Sequence, residues 1–478
     1  MVWMLVSAGT PPAQVIRDAG RLAPSARQLA WQREELTAFI HFGPNTFTNR
    51  EWGTGKESPD AFDPSSLDTD QWARALKEAG FKKVILVAKH HDGFVLWPTR
   101  YTQHSVKSSR WMGGHGDVVG SFVRSAHKYG LLVGFYLSPA DLYQAQPGGA
   151  FANGSARRPV TIPTLVKGDT RKPSRFFHFV LDDYNAYYLN ELYELLTQYG
   201  PVEEVWFDGA NPLAGSGRVQ PYDFGAWYTL VHTLQPQAVI FPIDLNWVGN
   251  ERGYARLSQW SVIPLTGPPV ADQSTHAVDV TSDALGSDAS LTSPRTRMLR
   301  WMPSECDVPL EPGWFWHPGA QPKSLAKLKA IYYASVGRNC QLLLDVPPDR
   351  RGLFDSADLT RLHEFGAWVR DAFATDLAAG ATMRTDRTAT TPTFAFTLPG
   401  TATFTTIELR EHIEDGQRIA RFTIEARSAS GWRRIAAGTT VGYKRLLLLP
   451  SATTADAIRV RVLAARDTPM LAGISLYR

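Results

Sequence analysis

The sequence predicts an α/β protein: a (β/α)8-type barrel followed by an antiparallel β-sandwich. Three observations predict it. Short apolar runs alternate with amphipathic helical patterns over residues 36–371. Those runs are almost continuously apolar, as strands covered on both faces are. After residue 371 the texture changes to Thr-rich stretches of alternating polarity, such as TFTTIELRE and RFTIEARS, which is the pattern of half-buried antiparallel strands. The chain therefore divides into an N-terminal extension (1–35), a catalytic-sized barrel (36–371) and a sandwich (372–478).

The barrel elements follow in order. LTAFIHFG (36–43), VILVAK (84–89), LLVGFYLS (131–138), EVWFDG (204–209), AVIFPI (238–243) and QLLLDV (341–346) read as buried strands. Each is rich in β-branched, leucine or aromatic residues and too short for a helix. Between them, DTDQWARALKEAG (68–80) offers Asp68 as a cap, Trp72 and Leu76 at helical spacing, and Gly80 as a stop. The same grammar recurs at 116–130, 182–200 and 324–337. Repeated βα units over this length favour a barrel. A doubly wound open sheet is the alternative, but no G-x-G-x-x-G follows the first strand. Segments 140–175 and 265–292, rich in Gly, Pro and Ser, read as long irregular insertions.

Composition narrows the function. The net charge is +4 with no block of like charges, so a nucleic-acid groove or an anionic membrane surface is not expected. No apolar run approaches the length of a membrane span. The opening MVWMLVSAGTPPA ends in small residues but lacks a basic n-region, so it reads at most as the tail of a secretory signal. A secreted or periplasmic location is favoured on that basis, and oligomeric state stays open. Cys306 and Cys340 fit neither a zinc nor a redox motif, and whether they pair stays open.

In a barrel of this kind the active site is built at the C-terminal strand ends. Those ends carry His41 with Glu51 and Trp52 beyond it, His90-His91-Asp92, Tyr136 and Ser138, and Asp208. Asn246, Trp247, Asn250 and Glu251 follow the fifth strand, and Trp301, Glu305 and Asp307 lie farther on. Asp208 and Glu251 could be the nucleophile and acid/base of a retaining glycosidase. Trp206, Trp247 and Trp301 could form an apolar wall beside them. A metal is disfavoured, because adjacent residues on a strand point to opposite faces, so His90 and His91 could both ligate only where the strand has ended, and no H-x-H is present.

AFIHFGPNTFTNREWGTG (38–55), AKHHDGFVLWPTRYTQHSVKSS (88–109), GDVVGSFVRSAHKYGLLVGFYLSP (116–139), EVWFDGA (204–210), VGNERG (248–253) and SVGRNCQLLLDVPPDRRGL (335–353) together resemble one family. It is the glycoside hydrolase family 29 α-L-fucosidases, and more closely the subgroup that cleaves α-1,3 and α-1,4 fucosyl linkages in branched oligosaccharides. The resemblance implies a retaining double displacement with Asp208 as nucleophile and Glu251 as acid/base. It implies sugar contacts at His41, Glu51, Trp52, His90, His91 and Tyr136, with a weaker match at Trp301. It implies a fucosylated oligosaccharide or glycoconjugate as substrate, with no metal or organic cofactor. Two departures matter. Asn246 stands where the subgroup is expected to carry a basic residue, which keeps a related sugar (L-galactose or D-arabinopyranose) open. Glu305 is a second candidate acid. A metal-dependent barrel hydrolase and a non-catalytic glycan-binding protein are the alternatives from other classes.

Overall fold

The computed structural model describes residues 2–168, 172–267, 282–386, 392–429 and 431–478. Eight parallel strands form one sheet: β1 (Leu36–Ile40), β2 (Lys83–Lys89), β3 (Leu132–Leu137), β4 (Glu204–Trp206), β5 (Val239–Phe241), β6 (Asn246–Trp247), β7 (Ser304–Pro309) and β8 (Cys340–Asp345). Their spatial order is β5-β4-β3-β2-β1-β8-β7-β6. The two edges, β5 and β6, are consecutive in the chain, so the sheet curls into a nearly closed barrel.

Six of these strands are the six apolar runs. β6 and β7 were not legible as strands, because β7 (SECDVP) places carboxyls where the other strands place apolar side chains. The βα alternation also breaks here. Only residues 242–245 join β5 to β6, and an antiparallel sheet of Trp3–Leu5, Met298–Trp301 and Val262–Leu265 occupies the β6–β7 connection. The N-terminal segment thus ends up paired in a sheet.

The helices that cover the barrel are α1 (Thr69–Glu78), α2 (Val118–Lys128), α3 (Asp183–Gln198), α4 (Phe224–Leu234), α5 (Leu325–Ala334) and α6 (Ser356–Ala372). Asp68 caps α1, its carboxylate accepting from the Gln71 N–H at 3.0 Å, and Asp117, Asp182 and Ser324 cap α2, α3 and α5 in the same way. The insertion at 140–175 is less irregular than expected, because Arg158–Ile162 pairs with Phe177–Leu181 as a hairpin. Of the 265–292 insertion, residues 268–281 lie outside the described residues.

Successive strand residues face opposite ways, so the barrel interior receives every second side chain. Lys83 and Glu204 meet there at 2.6 Å, with Glu34 also 2.6 Å from the lysine. The Trp31 indole donates to Glu204 at 2.8 Å. Above them Phe39, Ile85, Val87, Trp206, Phe241 and Leu343 fill the lumen. The opposite faces of the strands (Val84, Leu86, Val205 and Leu342 among them) pack under the helices.

The C-terminal part is an antiparallel sheet system of β9 (Thr382–Asp386), β10 (Thr393–Glu411), β11 (Ile419–Ser428), β12 (Gly431–Gly438), β13 (Arg445–Ala465) and β14 (Leu471–Tyr477). The long strands β10 and β13 pair with each other along most of their length, and Phe394, Phe404, Phe422, Ile458 and Leu476 form the buried core of this part.

The cysteines are paired. Cys306 on β7 and Cys340 on β8 form a disulfide with Cα atoms 6.2 Å apart, packed with Val248 and Ala255. The bridge closes a loop across 34 residues, so its loop-closure entropy is worth about 3–4 kcal/mol. Reduction is expected to lower the urea midpoint of the oxidised protein measurably. An unchanged midpoint would show that the bridge carries no constraint.

Candidate active site

Where the strands of the barrel end, a cavity of about 400 Å³ opens, lined by His41, His90, His91, Tyr136, Asp208 and Glu251 together with a set of aromatic rings. Each polar group is delivered by a strand terminus. His41 lies one residue past β1, His90 and His91 immediately after β2, Tyr136 on β3, and Asp208 two residues past β4.

Asp208 is fixed at both oxygens. The Tyr136 hydroxyl donates to Oδ2 at 3.0 Å and the Ala210 N–H donates to Oδ1 at 2.8 Å. His91 Nε2 stands 3.8 Å from Oδ2. Burial raises the Tyr136 hydroxyl well above its ordinary value, reinforced by the Asp208 charge, so Tyr136 stays a donor.

The histidines are held neutral. Burial lowers His41 to about 3 and His91 to about 4. His90 falls well below its ordinary value, through burial first and then its two histidine neighbours. Their hydrogen bonds decide what each offers a ligand. Ser138 gives its proton to the Ala140 carbonyl at 2.7 Å and so accepts from His91 Nδ1 at 2.7 Å. His91 therefore keeps a lone pair on Nε2. Asn45 Nδ2 donates to His90 Nδ1 at 3.4 Å, which leaves the proton on Nε2. One ring thus offers an acceptor to the cavity and its neighbour a donor. His41 shares a 2.8 Å hydrogen bond with Asp345, whose carboxyl burial pushes up.

Glu251 projects from the loop after β6 with a left-handed backbone (φ 49°), a strained conformation for a non-glycine residue. The loop is tied to β7 through Val248 N–H to Glu305 O (3.2 Å) and Gly253 N–H to Asp307 O (3.0 Å). Gly253 is required, since its φ is +71° and a Cβ would stand 2.7 Å from Ile331.

Several expectations are corrected. Trp301 is fully buried and away from the cavity, its indole donating to Gln32 at 3.3 Å. The strand's alternation turns it, with Leu299, onto Val15, Ala19 and Leu291, and its neighbour Met302 lines the cavity instead. Glu305 does not line the cavity either. It is buried beneath Trp206, whose indole donates to it at 2.8 Å, and burial keeps its carboxyl protonated far above the usual range.

Trp52 and Glu51 sit at the rim. Trp52 is half exposed with its ring 4.1 Å from His91. Glu51 does not line the cavity. Its carboxylate takes the Trp314 N–H at 2.8 Å and the His317 imidazole. It thereby holds down the 312–317 turn that brings Trp314 within 5.2 Å of the His41 ring. Gly313 permits this approach, since a Cβ there would stand 2.4 Å from Glu51 Oε1.

Trp314 and His317 were missed by sequence reasoning, although GWFWH marks aromatic residues behind a glycine just past a strand. Asp307 was noted without a role. It lines the cavity, accepts from the Trp247 indole at 2.9 Å, and is raised to about 7 by burial and by the charges of Glu251 and Asp208. Asn246, also in the cavity wall, is tied to Ser304 Oγ at 3.2 Å. Among the described residues no group of three or more His, Cys, Asp or Glu is arranged to hold a metal.

A carboxyl whose folded value is raised binds its proton more tightly in the folded state. Its contribution is complete below the unfolded value and is lost as pH rises through the folded one. Urea midpoints of the wild-type protein should therefore fall between about pH 4 and pH 7, more steeply than those of Asp307→Asn. Identical slopes would contradict the burial of Asp307.

The sequence model of the alpha-L-fucosidase family matches residues 30–372. The curated Alpha-L-fucosidase 1 of Arabidopsis thaliana is 37% identical over 95% of this chain and 87% of that protein. A crystal structure from Bacteroides ovatus is 39% identical with a TM-score of 0.85, over 100% of this chain and 77% of that one. A Ruminococcus gnavus GH29 fucosidase, solved in complex with fucose, is 30% identical with a TM-score of 0.77, over 95% of each chain.

Proposed function

The chain belongs to the alpha-L-fucosidase family of glycoside hydrolases, and from that premise we propose a retaining exo-enzyme that releases terminal α-1,3- or α-1,4-linked L-fucose from branched glycans. The observation that carries the catalytic part is the clamped carboxylate of Asp208 in the wall of a cavity that Glu251 also lines.

In the proposed reaction, Asp208 attacks the anomeric carbon while Glu251 gives its proton to the departing glycosidic oxygen. The C–O bond to the aglycone breaks as the Asp208–C1 bond forms. Glu251, now a carboxylate, removes a proton from water, which attacks C1 and returns Asp208 to the free state with the anomeric configuration retained. His90 and His91 hold neighbouring hydroxyls as donor and acceptor, and His41 and Tyr136 complete the polar side. Phe39, Trp206 and Trp314 line the same cavity with apolar surface, which supports a sugar with an apolar edge, such as the methyl-bearing edge of a 6-deoxy sugar.

The linkage preference rests on the sequence motifs shared with the α-1,3/1,4 subgroup. Asn246, buried and committed to Ser304, stands where that subgroup is expected to carry a basic residue. It favours testing L-galactosides and D-arabinopyranosides beside fucosides.

Two variants test the chemistry. Asp208→Asn is expected to lose on the order of 10⁵-fold in kcat on an aryl α-L-fucoside, with its circular dichroism unchanged; near-normal turnover would refute the nucleophile. Glu251→Ala is expected to lose about 10²–10⁴-fold on a poor leaving group, and on an activated aryl fucoside, whose departure needs no acid, to regain rate with added azide, giving the α-fucosyl azide. A β-fucosyl product would contradict retention. Comparing an α-1,2-fucosyl glycan with a branched α-1,3/1,4-fucosyl glycan tests the linkage, and a preference for the former would overturn that part.

A further inference from the structure

The outer face of the C-terminal sheet carries arginines in register. Opposed residues of an antiparallel ladder share a face. The pairings of β9 through β13 place Arg384, Ala395, Arg459, Glu425 and Arg434 in one row across five strands. The row on one side pairs Arg427 with Trp432. The row on the other sets Arg461 between Thr393 and Thr423. The intervening residues Phe394, Phe396, Ile424 and Ile458 point the opposite way into the core, so this face looks outward.

Its chemistry is uneven. Glu425 pairs with Arg459 and stands 4.0 Å from Arg461, and Asp456 takes Arg427 at 2.8 Å. Arg384 and Arg434, at opposite ends of the central row, make no hydrogen bond or ion pair among the described residues. Four inter-strand spacings separate them, about 19 Å. Trp432 on the edge strand β12 is 37% exposed, with the Arg459 guanidinium 4.4 Å from its ring centre.

We propose that this face is a second, non-catalytic binding surface for an anionic glycan, a chain of sugars bearing carboxylate or sulfate groups. Planar guanidinium forks match such groups bidentately, and an exposed indole offers a sugar ring a stacking surface. The spacing of the two unpaired arginines suits an extended oligosaccharide rather than a single ion. The choice of a glycan over other polyanions rests on reading the barrel site as a glycan hydrolase. A surface that holds one part of a substrate raises the effective concentration of the rest.

The test is affinity electrophoresis of the full chain through gels containing dextran sulfate, neutral dextran or single-stranded DNA, with turnover of an aryl fucoside measured in parallel. The wild-type protein is expected to be retarded by dextran sulfate and not by dextran. R384A/R434A is expected to weaken that retardation about tenfold, as loss of two charge-assisted contacts implies. W432A should weaken it severalfold, with aryl fucoside turnover and thermal midpoint unchanged in both variants. Absence of retardation, or equal retardation of the variants and the wild type, would overturn the proposal. Equal retention by DNA, insensitive to Trp432, would also overturn it, in favour of a general polyanion surface. Binding is read without catalysis, so its failure leaves the reaction at Asp208 and Glu251 separately testable.

Discussion

Every second residue of a barrel strand must point into the barrel, and the rest of this structure follows from that constraint. On β4 it sends Glu204, Trp206 and Asp208 inward at rising height. The same two-residue step carries β7 from Glu305 to Asp307 and β1 from Phe39 to His41. Polar groups therefore recur along the lumen, and each layer must find partners from other strands. Lys83 neutralises Glu204 at the bottom, the Trp206 indole serves Glu305 in the middle, and Tyr136 and the Ala210 N–H serve Asp208 at the mouth.

Burial is the second half of the account. A lumen closed below by aromatic rings disfavours charge, so the three histidines around Asp208 stay neutral over the range in which free imidazole titrates. Neutral rings with fixed tautomers are selective hydrogen-bonding groups for uncharged hydroxyls. The buried carboxyls Glu305, Asp307 and Asp345 are pushed toward their protonated forms by the same environment. Net charge at the mouth, where Glu251 also lines the cavity, is thereby limited.

Much of this was legible in the sequence, for a physical reason. Strands buried on both faces announce themselves as apolar runs, and the polar residue that ends each run is the one at the barrel mouth. His41, His90, His91, Tyr136 and Asp208 were found that way, and the cavity gathers all five with Glu251. β6 and β7 were hidden because their inward residues are polar or aromatic and the runs are short. Trp301 was misplaced because its strand belongs to a separate antiparallel sheet, whose alternation depends on a partner far away at residues 3–5. The role of Glu51 as the anchor of the Trp314 turn depends on a contact across 263 residues, which no local pattern encodes. The Cys306–Cys340 pairing likewise became visible only when β7 and β8 were set side by side.

The sandwich and the barrel meet through backbone contacts such as Leu446 N–H to Gly337 O and Asn339 N–H to Lys444 O, which fix the strand that ends in Asp345 beside His41. The fold thus converges on one carboxylate, and its covalent role is the central claim. The most direct measurement is mass spectrometry of the protein after reaction with a 2-deoxy-2-fluoro-α-L-fucosyl fluoride, whose glycosyl-enzyme is hydrolysed slowly. One fluorofucosyl unit is predicted on the peptide that contains Asp208. An adduct on another residue, or turnover to the inverted sugar with no adduct, would contradict the account.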